Sequence, residues 1–139
     1  MRSKGSLKWA LGDVQFMLSY FPNHPVALRL ATEIAQLMGN PKEADHFYAR
    51  AVRLYPRTPQ SWFLYGLQYQ VTGRPEQAVK MYRTAIKLDP GLAAAHYNLG
   101  MALLKLGRLD EARAEADRAE ALGYQKPGLR KLLEAKGKK

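Results

Sequence analysis

A chain of 139 residues, 47% hydrophobic and 24% charged, holds enough apolar material for one domain-sized core. It has no cysteine, which excludes disulfide frameworks, thiolate metal sites and cysteine nucleophiles. The net charge of +10 is spread thinly and peaks only in residues 127–139, with five basic residues to one acidic, so it reads as a solubility feature rather than a nucleic-acid stripe.

Residues 7–22 predict a helix ended by Pro22. Leu7, Leu11, Val14, Met17, Leu18 and Phe21 give it an apolar face at i, i+3, i+4, i+7, and Gly12 weakens it locally. Lys8 and Asp13 break the short apolar run here, which excludes a signal peptide, and nowhere is there a run long enough to span a membrane. Pro25 opens a helix that runs to about 38 and stops at Gly39. Asn40, Pro41 and Glu43 read as a capped start for the next, which ends near Leu54 ahead of Pro56. Thr58-Pro59 begins a helix that ends at Gly73, and Pro75 begins its partner, which stops ahead of Pro90. A further pair occupies about 92–106 and 109–121, divided by Gly107. Pro127 opens a short last helix with Leu129, Leu132 and Leu133 on one stripe, before a basic end expected to be disordered. No segment alternates with the period of a strand.

The pattern repeats every 34 residues, and Gly39, Gly73 and Gly107 all fall at position 15 of a unit. Counted from Pro59, Trp62, Tyr65, Gly66 and Tyr69 stand at positions 4, 7, 8 and 11, and Ala78, Tyr82, Ala85 and Pro90 at 20, 24, 27 and 32. Small residues at 8, 20 and 27 let two antiparallel helices approach closely, and large ones at 4, 7, 11 and 24 fill the space between pairs. One pair cannot bury both faces, so neighbouring pairs must stack. This series resembles the tetratricopeptide repeat. The unit from Ala93 matches with Leu99, Gly100, Leu103, Ala112 and Ala119, and departs at His96, Ala116 and Tyr124. The unit from Pro25 matches with Leu28, Ala35, Ala44, Tyr48, Ala51 and Pro56, and departs at Ala31 and Thr32. The resemblance implies an all-α fold: a right-handed α-solenoid superhelix of three units (25–58, 59–92, 93–126) spanning 25–126. Residues 1–24 add the second helix of an incomplete repeat, and 127–139 a capping helix and tail. Ala116, where a large residue is usual, leaves room for that cap.

The incomplete first repeat suggests a chain cut from a longer protein. Trp9, Phe16 and Phe21 are costly to expose, by about 1.5–3 kcal/mol each, so a homodimer through this helix is a further expectation. With no signal visible, the default location is cytoplasmic. A removed export signal would instead allow a periplasmic one.

The resemblance implies a protein–protein scaffold without catalytic activity, its groove lined by the first helix of each unit. Carried over by position, the groove residues are Arg29 and Glu33; Phe63, Leu64, Leu67 and Gln70; and Tyr97, Asn98 and Met101, with Leu30, Gln36, Leu37 and Val71 beside them. Phe63, Leu64 and Leu67 form an apolar stripe, which points to a peptide or helix with apolar anchors as the partner. Some relatives clamp a C-terminal carboxylate with Lys and Asn. Of the matching positions only Arg29 and Asn98 fit, and Glu33 would repel an anion, so no such clamp is expected. An alternative function is binding of RNA or another polyanion through the convex face and tail. No cofactor or metal is expected: His24, His46 and His96 have no ligand spacing and read as structural, and no phosphate loop occurs. Asp110, Glu111, Glu115 and Asp117 read as a surface cluster that favours a helix N-terminus and pairs with Arg113 and Arg118.

Overall fold

The computed structural model describes residues 4–137. Within them lie eight α-helices: α1 (Lys4–Tyr20), α2 (Pro25–Leu37), α3 (Asp45–Leu54), α4 (Pro59–Val71), α5 (Pro75–Leu88), α6 (Ala93–Lys105), α7 (Leu109–Ala121) and α8 (Gly128–Gly137). They pack pairwise as helix-turn-helix units, α2 with α3, α4 with α5 and α6 with α7. α1 lies on α2 at one end, and α8 on α6 and α7 at the other.

The turns follow from local chemistry. Pro25, Pro59 and Pro75 occupy first helical positions, where a missing N–H costs nothing. Gly39, Gly73 and Gly107 have φ of 95°, 75° and 77°, a left-handed conformation that closes each first helix. The next N–H then reaches back to a carbonyl five residues earlier: Asn40 to Ala35 at 2.9 Å, Arg74 to Tyr69 at 2.8 Å, Arg108 to Leu103 at 2.9 Å.

Four expectations are corrected. Pro41–Ala44 form a 3₁₀ turn and α3 begins at Asp45, with no cap from the Asn40 side chain. α1 runs from Lys4 to Tyr20; its Met17 and the following Phe21 are exposed because the face that packs on α2 is centred on Leu7, Val14 and Leu18. α8 continues to Gly137, so residues 136 and 137 are helical where a disordered end was expected; Lys138 and Lys139 lie outside the described residues. Glu115 is buried beside His96, as set out below.

Two core clusters meet at α4. One joins α1 to α4 and includes Leu18, Leu28, Ile34, Tyr48 and Leu64. The other joins α5 to α8 and includes Val79, Tyr82, Leu99, Leu103, Leu129 and Leu133. Leu67 packs against both.

The departures from the repeat pattern acquire causes. In the middle unit, Gly66 sits against the fully buried ring of Tyr82. In the first unit the corresponding residues are Thr32 and Tyr48, and their oxygens meet at 2.6 Å. In the third unit Ala116 replaces the aromatic, and Leu129 of α8 comes down on Gly100 instead. Tyr65, where Leu is usual, stacks between Tyr69 and Tyr48 at 4.6 and 6.1 Å. Its phenol accepts a hydrogen bond from Tyr69, and burial raises its pKa well above the ordinary tyrosine value.

Candidate functional site

The first helices of successive units, α2, α4 and α6, lie side by side and form one face. Between α2 and α4 this face opens into a cavity of about 260 Å³ lined by Arg29, Thr32, Glu33, Gln36, Tyr48, Leu67, Gln68 and Val71. Arg29, Glu33 and Gln36 come from one edge of α2, at i, i+4, i+7, and Leu67 and Val71 from one edge of α4, at i, i+4.

The floor is a polar network. Gln68, only 1% exposed, donates from Nε2 to the Pro41 carbonyl at 3.0 Å and to Asp45 Oδ1 at 2.8 Å. Its Oε1 accepts from the Thr32 hydroxyl at 2.7 Å. The Tyr48 hydroxyl lies 2.6 Å from Thr32 Oγ1 and 2.9 Å from the Leu28 carbonyl. Burial raises the Tyr48 pKa above its ordinary value, which keeps the phenol a donor. Asp45 anchors the edge of the network through a two-pronged pair with Arg74, at 2.7 and 2.8 Å. Burial opposes ionisation of Asp45, but the hydrogen bonds from Arg74 and Gln68 outweigh it and hold the carboxyl below its ordinary range. Three elements of the first unit thus meet at Gln68 of the second: α2 through Thr32, the 3₁₀ turn through Pro41, and α3 through Asp45.

Of the residues expected to line the groove, Arg29, Glu33 and Leu67 share this cavity. The others have different environments. Leu64 is 7% exposed and belongs to the first core cluster. Phe63 packs against the second cluster with its ring 5.7 Å from that of Tyr82. The apolar stripe is therefore largely spent on packing, because adjacent helix pairs close over that edge of α4. Gln70 accepts a short hydrogen bond from Tyr82 Oη. Tyr97 lies 4.8 Å from the Tyr124 ring and beside Gly128 at the start of α8. Asn98 donates to the Ala94 carbonyl of its own helix at 2.9 Å, and Met101 packs on the second cluster. Thr32, Tyr48 and Gln68 complete the cavity but were not among the expected groove residues. The signal was a polar residue at a packing position: Gln68 stands where the neighbouring units have Ile34 and Ala102.

His24 and His96 are structural in their contacts. His24 caps α2 by accepting from the Ala27 N–H at 3.3 Å. His96 holds Glu115 Oε2 at 2.7 Å with Nδ1 and the Pro90 carbonyl at 2.9 Å with Nε2. Glu115 also accepts from Arg118 and is only 8% exposed, so it ties α6 to α7 instead of joining a surface cluster. Arg83, Arg108, Arg113 and Arg130 pair with Glu111, Asp110, Asp117 and Glu120 across the outer helices. No described helix is long and apolar enough to cross a membrane.

With this geometry in hand, comparison with known proteins is direct. A family profile described as "Tetratricopeptide repeat" matches residues 67–127. No curated protein matches the chain. A crystal structure of MamA protein superposes with a TM-score of 0.72 at 20% identity, covering 96% of this chain and 75% of that one. A second TPR of Spaghetti (RPAP3), bound to the HSP90 peptide SRMEEVD, superposes with a TM-score of 0.62 at 20% identity, covering 74% of this chain and 95% of that one. At these identities the likeness is one of fold. The profile match identifies residues 67–127 as tetratricopeptide repeat, and the 34-residue series, the helix pairs and the glycine stops carry the same pattern back to Pro25.

Proposed function

We propose that the face built by α2, α4 and α6 binds a segment of another protein, without catalysis. The observation that carries this reading is the cavity between α2 and α4. It puts Arg29, Glu33 and Gln36 opposite Leu67 and Val71, so a peptide backbone has polar groups on one side and an apolar wall on the other. The RPAP3 domain is a fold-level relative with a peptide bound. The peptide in that complex ends in Asp, whereas here Glu33 and Leu64 replace asparagines of the clamp that some relatives use. An acidic C-terminal peptide such as SRMEEVD therefore binds this chain weakly or not at all.

The test is selection of binders from a random peptide library against the full chain, followed by Arg29→Glu and Val71→Arg. Arg29 is exposed and Val71 is 54% exposed, so both changes alter the face without touching a core contact. Phe63→Ser is unsuitable, because it removes packing against Tyr82. Selected peptides that bind both variants as well as the parent would place the binding elsewhere.

A specific observation favours self-association as a second property. Trp9 and Phe16 on α1 are 81% and 67% exposed. The matching positions in the complete units hold Glu43 and Arg50, Gln77 and Thr84, and Glu111 and Arg118. Two aromatics where the other units are polar support a homodimer through α1. Sedimentation equilibrium tests it: a single-chain mass at all concentrations, unchanged by Trp9→Glu, would remove the idea.

A further inference from the structure

The cavity between α2 and α4 has a hydrogen-bonding character that narrows what enters it. This inference rests on the proposal that the face binds a peptide segment, and it concerns the side chain that anchors the segment.

The protons of the floor can be counted. Both Nε2 protons of Gln68 are committed, to the Pro41 carbonyl and to Asp45. That fixes its amide so that Oε1 points to Thr32. A carbonyl oxygen cannot donate, so the 2.7 Å contact uses the single Thr32 proton. The 2.6 Å contact between Thr32 and Tyr48 must then use the single Tyr48 proton, which also points toward the Leu28 carbonyl at 2.9 Å. No proton is left over. What the floor offers an incoming group is lone pairs alone: the second of Gln68 Oε1, those of the Tyr48 hydroxyl and the one on Thr32 Oγ1 that Tyr48 does not use. These three residues are 1%, 2% and 7% exposed, so the arrangement is built into the fold and not improvised at the surface.

The walls impose two further requirements. Leu67 and Val71 take apolar surface, which disfavours a group polar along its whole length. Arg29 stands at the rim, and a guanidinium is attracted to the negative face of an aromatic ring. Arg29 acts against a cationic head. Glu33 acts against a carboxylate. Phenylalanine would satisfy the walls and leave the floor without a donor.

We infer that this cavity takes a tryptophan side chain of the bound segment, its ring along Leu67 and Val71, its face toward Arg29 and its N–H directed to the floor of Thr32, Tyr48 and Gln68. Indole carries a donor and no acceptor on an otherwise apolar body, which is the complement of this lining. Apolar anchoring in general is thereby sharpened to one amphipathic ring.

The experiment uses the full, isotope-labelled chain and small probes followed by NMR: N-acetyl-tryptophanamide, its 1-methylindole counterpart, N-acetyl-phenylalaninamide and N-acetyl-lysinamide. The expected result is that N-acetyl-tryptophanamide shifts the Leu67 and Val71 methyls and the Gln68 side-chain amide. The 1-methyl and phenylalanine probes bind at least about fivefold more weakly, the effect of one unmade hydrogen bond to a buried acceptor. Val71→Arg abolishes the shifts while the rest of the spectrum is retained. Equal affinity of the indole and 1-methylindole probes, tighter binding by the lysine probe, or shifts confined to other surfaces would each overturn the assignment. The peptide selection reads the whole face and the probes read the cavity, so each proposal fails separately.

Discussion

Gly12, Gly66 and Gly100 lie inside helices with ordinary helical backbones, and replacing each by alanine should give three different results. A Cβ at Gly12 meets nothing within 4 Å. Only the backbone gain remains, so Gly12→Ala should stabilise the chain by about 1 kcal/mol. A Cβ at Gly66 lies 2.5 and 2.6 Å from Cε1 and Cδ1 of Tyr82. The optimal carbon–carbon separation is about 3.5–4.0 Å, so the ring must move by roughly 1 Å. It is fully buried, and its hydroxyl is held by Gln70. Overpacking of this kind costs about 1–3 kcal/mol, which exceeds the helical gain of about 1 kcal/mol. Gly66→Ala should therefore destabilise, by up to about 2 kcal/mol net. At Gly100 the close atom is Leu129 Cδ2, also at 2.5 Å, with the Ala112 carbonyl oxygen at 3.4 Å. The end of a leucine can rotate, so the change there should lie between the other two. Urea unfolding followed by far-UV circular dichroism gives all three values in one series. If Gly66→Ala is as stabilising as Gly12→Ala, the claim that position 8 is small because position 24 is aromatic is wrong.

The remaining tests address the network, the cap and an unpaired hydroxyl. Gln68→Leu orphans the Pro41 carbonyl and the Thr32 hydroxyl, while Asp45 keeps Arg74, and should cost about 2–6 kcal/mol at about 1–3 kcal/mol per orphaned group; adding Thr32→Val should recover part of this, and a strictly additive double mutant in urea unfolding would refute the coupling. Asp45 has a carboxyl pKa held below its unfolded value, so its contribution is complete above about pH 4 and is lost as pH falls through the folded value. Thermal unfolding of the parent should weaken below that pH more steeply than that of Asp45→Asn, and parallel profiles would count against it. Leu129→Ala removes a side chain only 1% exposed and should cost about 2–5 kcal/mol; hydrogen exchange should speed up first in α6 and α7, and uniform loss across the chain would contradict the placement of α8. Ser61 Oγ is buried with no hydrogen-bond partner, so Ser61→Ala should raise stability by about 1 kcal/mol in the same denaturation assay.

Most of the architecture was legible in the chain because it is local. Prolines at first helical positions, glycines 34 residues apart and small residues at positions 8, 20 and 27 act within one helix pair, and each constrains backbone that it belongs to. The room left by Ala116 also correctly announced α8. The Asn40–Glu43 start misled, because a capping pattern states a preference and not whether the first turn winds as α or 3₁₀; here Gln68, from the next unit, holds the Pro41 carbonyl.

The site was legible only in outline, for a different reason. Position alone put Arg29, Glu33 and Leu67 on the first-helix face, and they share a cavity. It could not show that Leu64 and Phe63 are consumed by packing, since their exposure depends on how closely consecutive pairs stack. Nor could it show that Thr32, Tyr48 and Gln68 meet, because they come from three helices and are joined by contacts 16 and 36 residues apart in sequence. By itself the sequence determined the helices, their pairing and which residues stand on the face of the first helices. The tertiary structure decided the chemistry of that face, because hydrogen-bond capacity is exhausted or left over only once side chains from separate repeats share one buried volume.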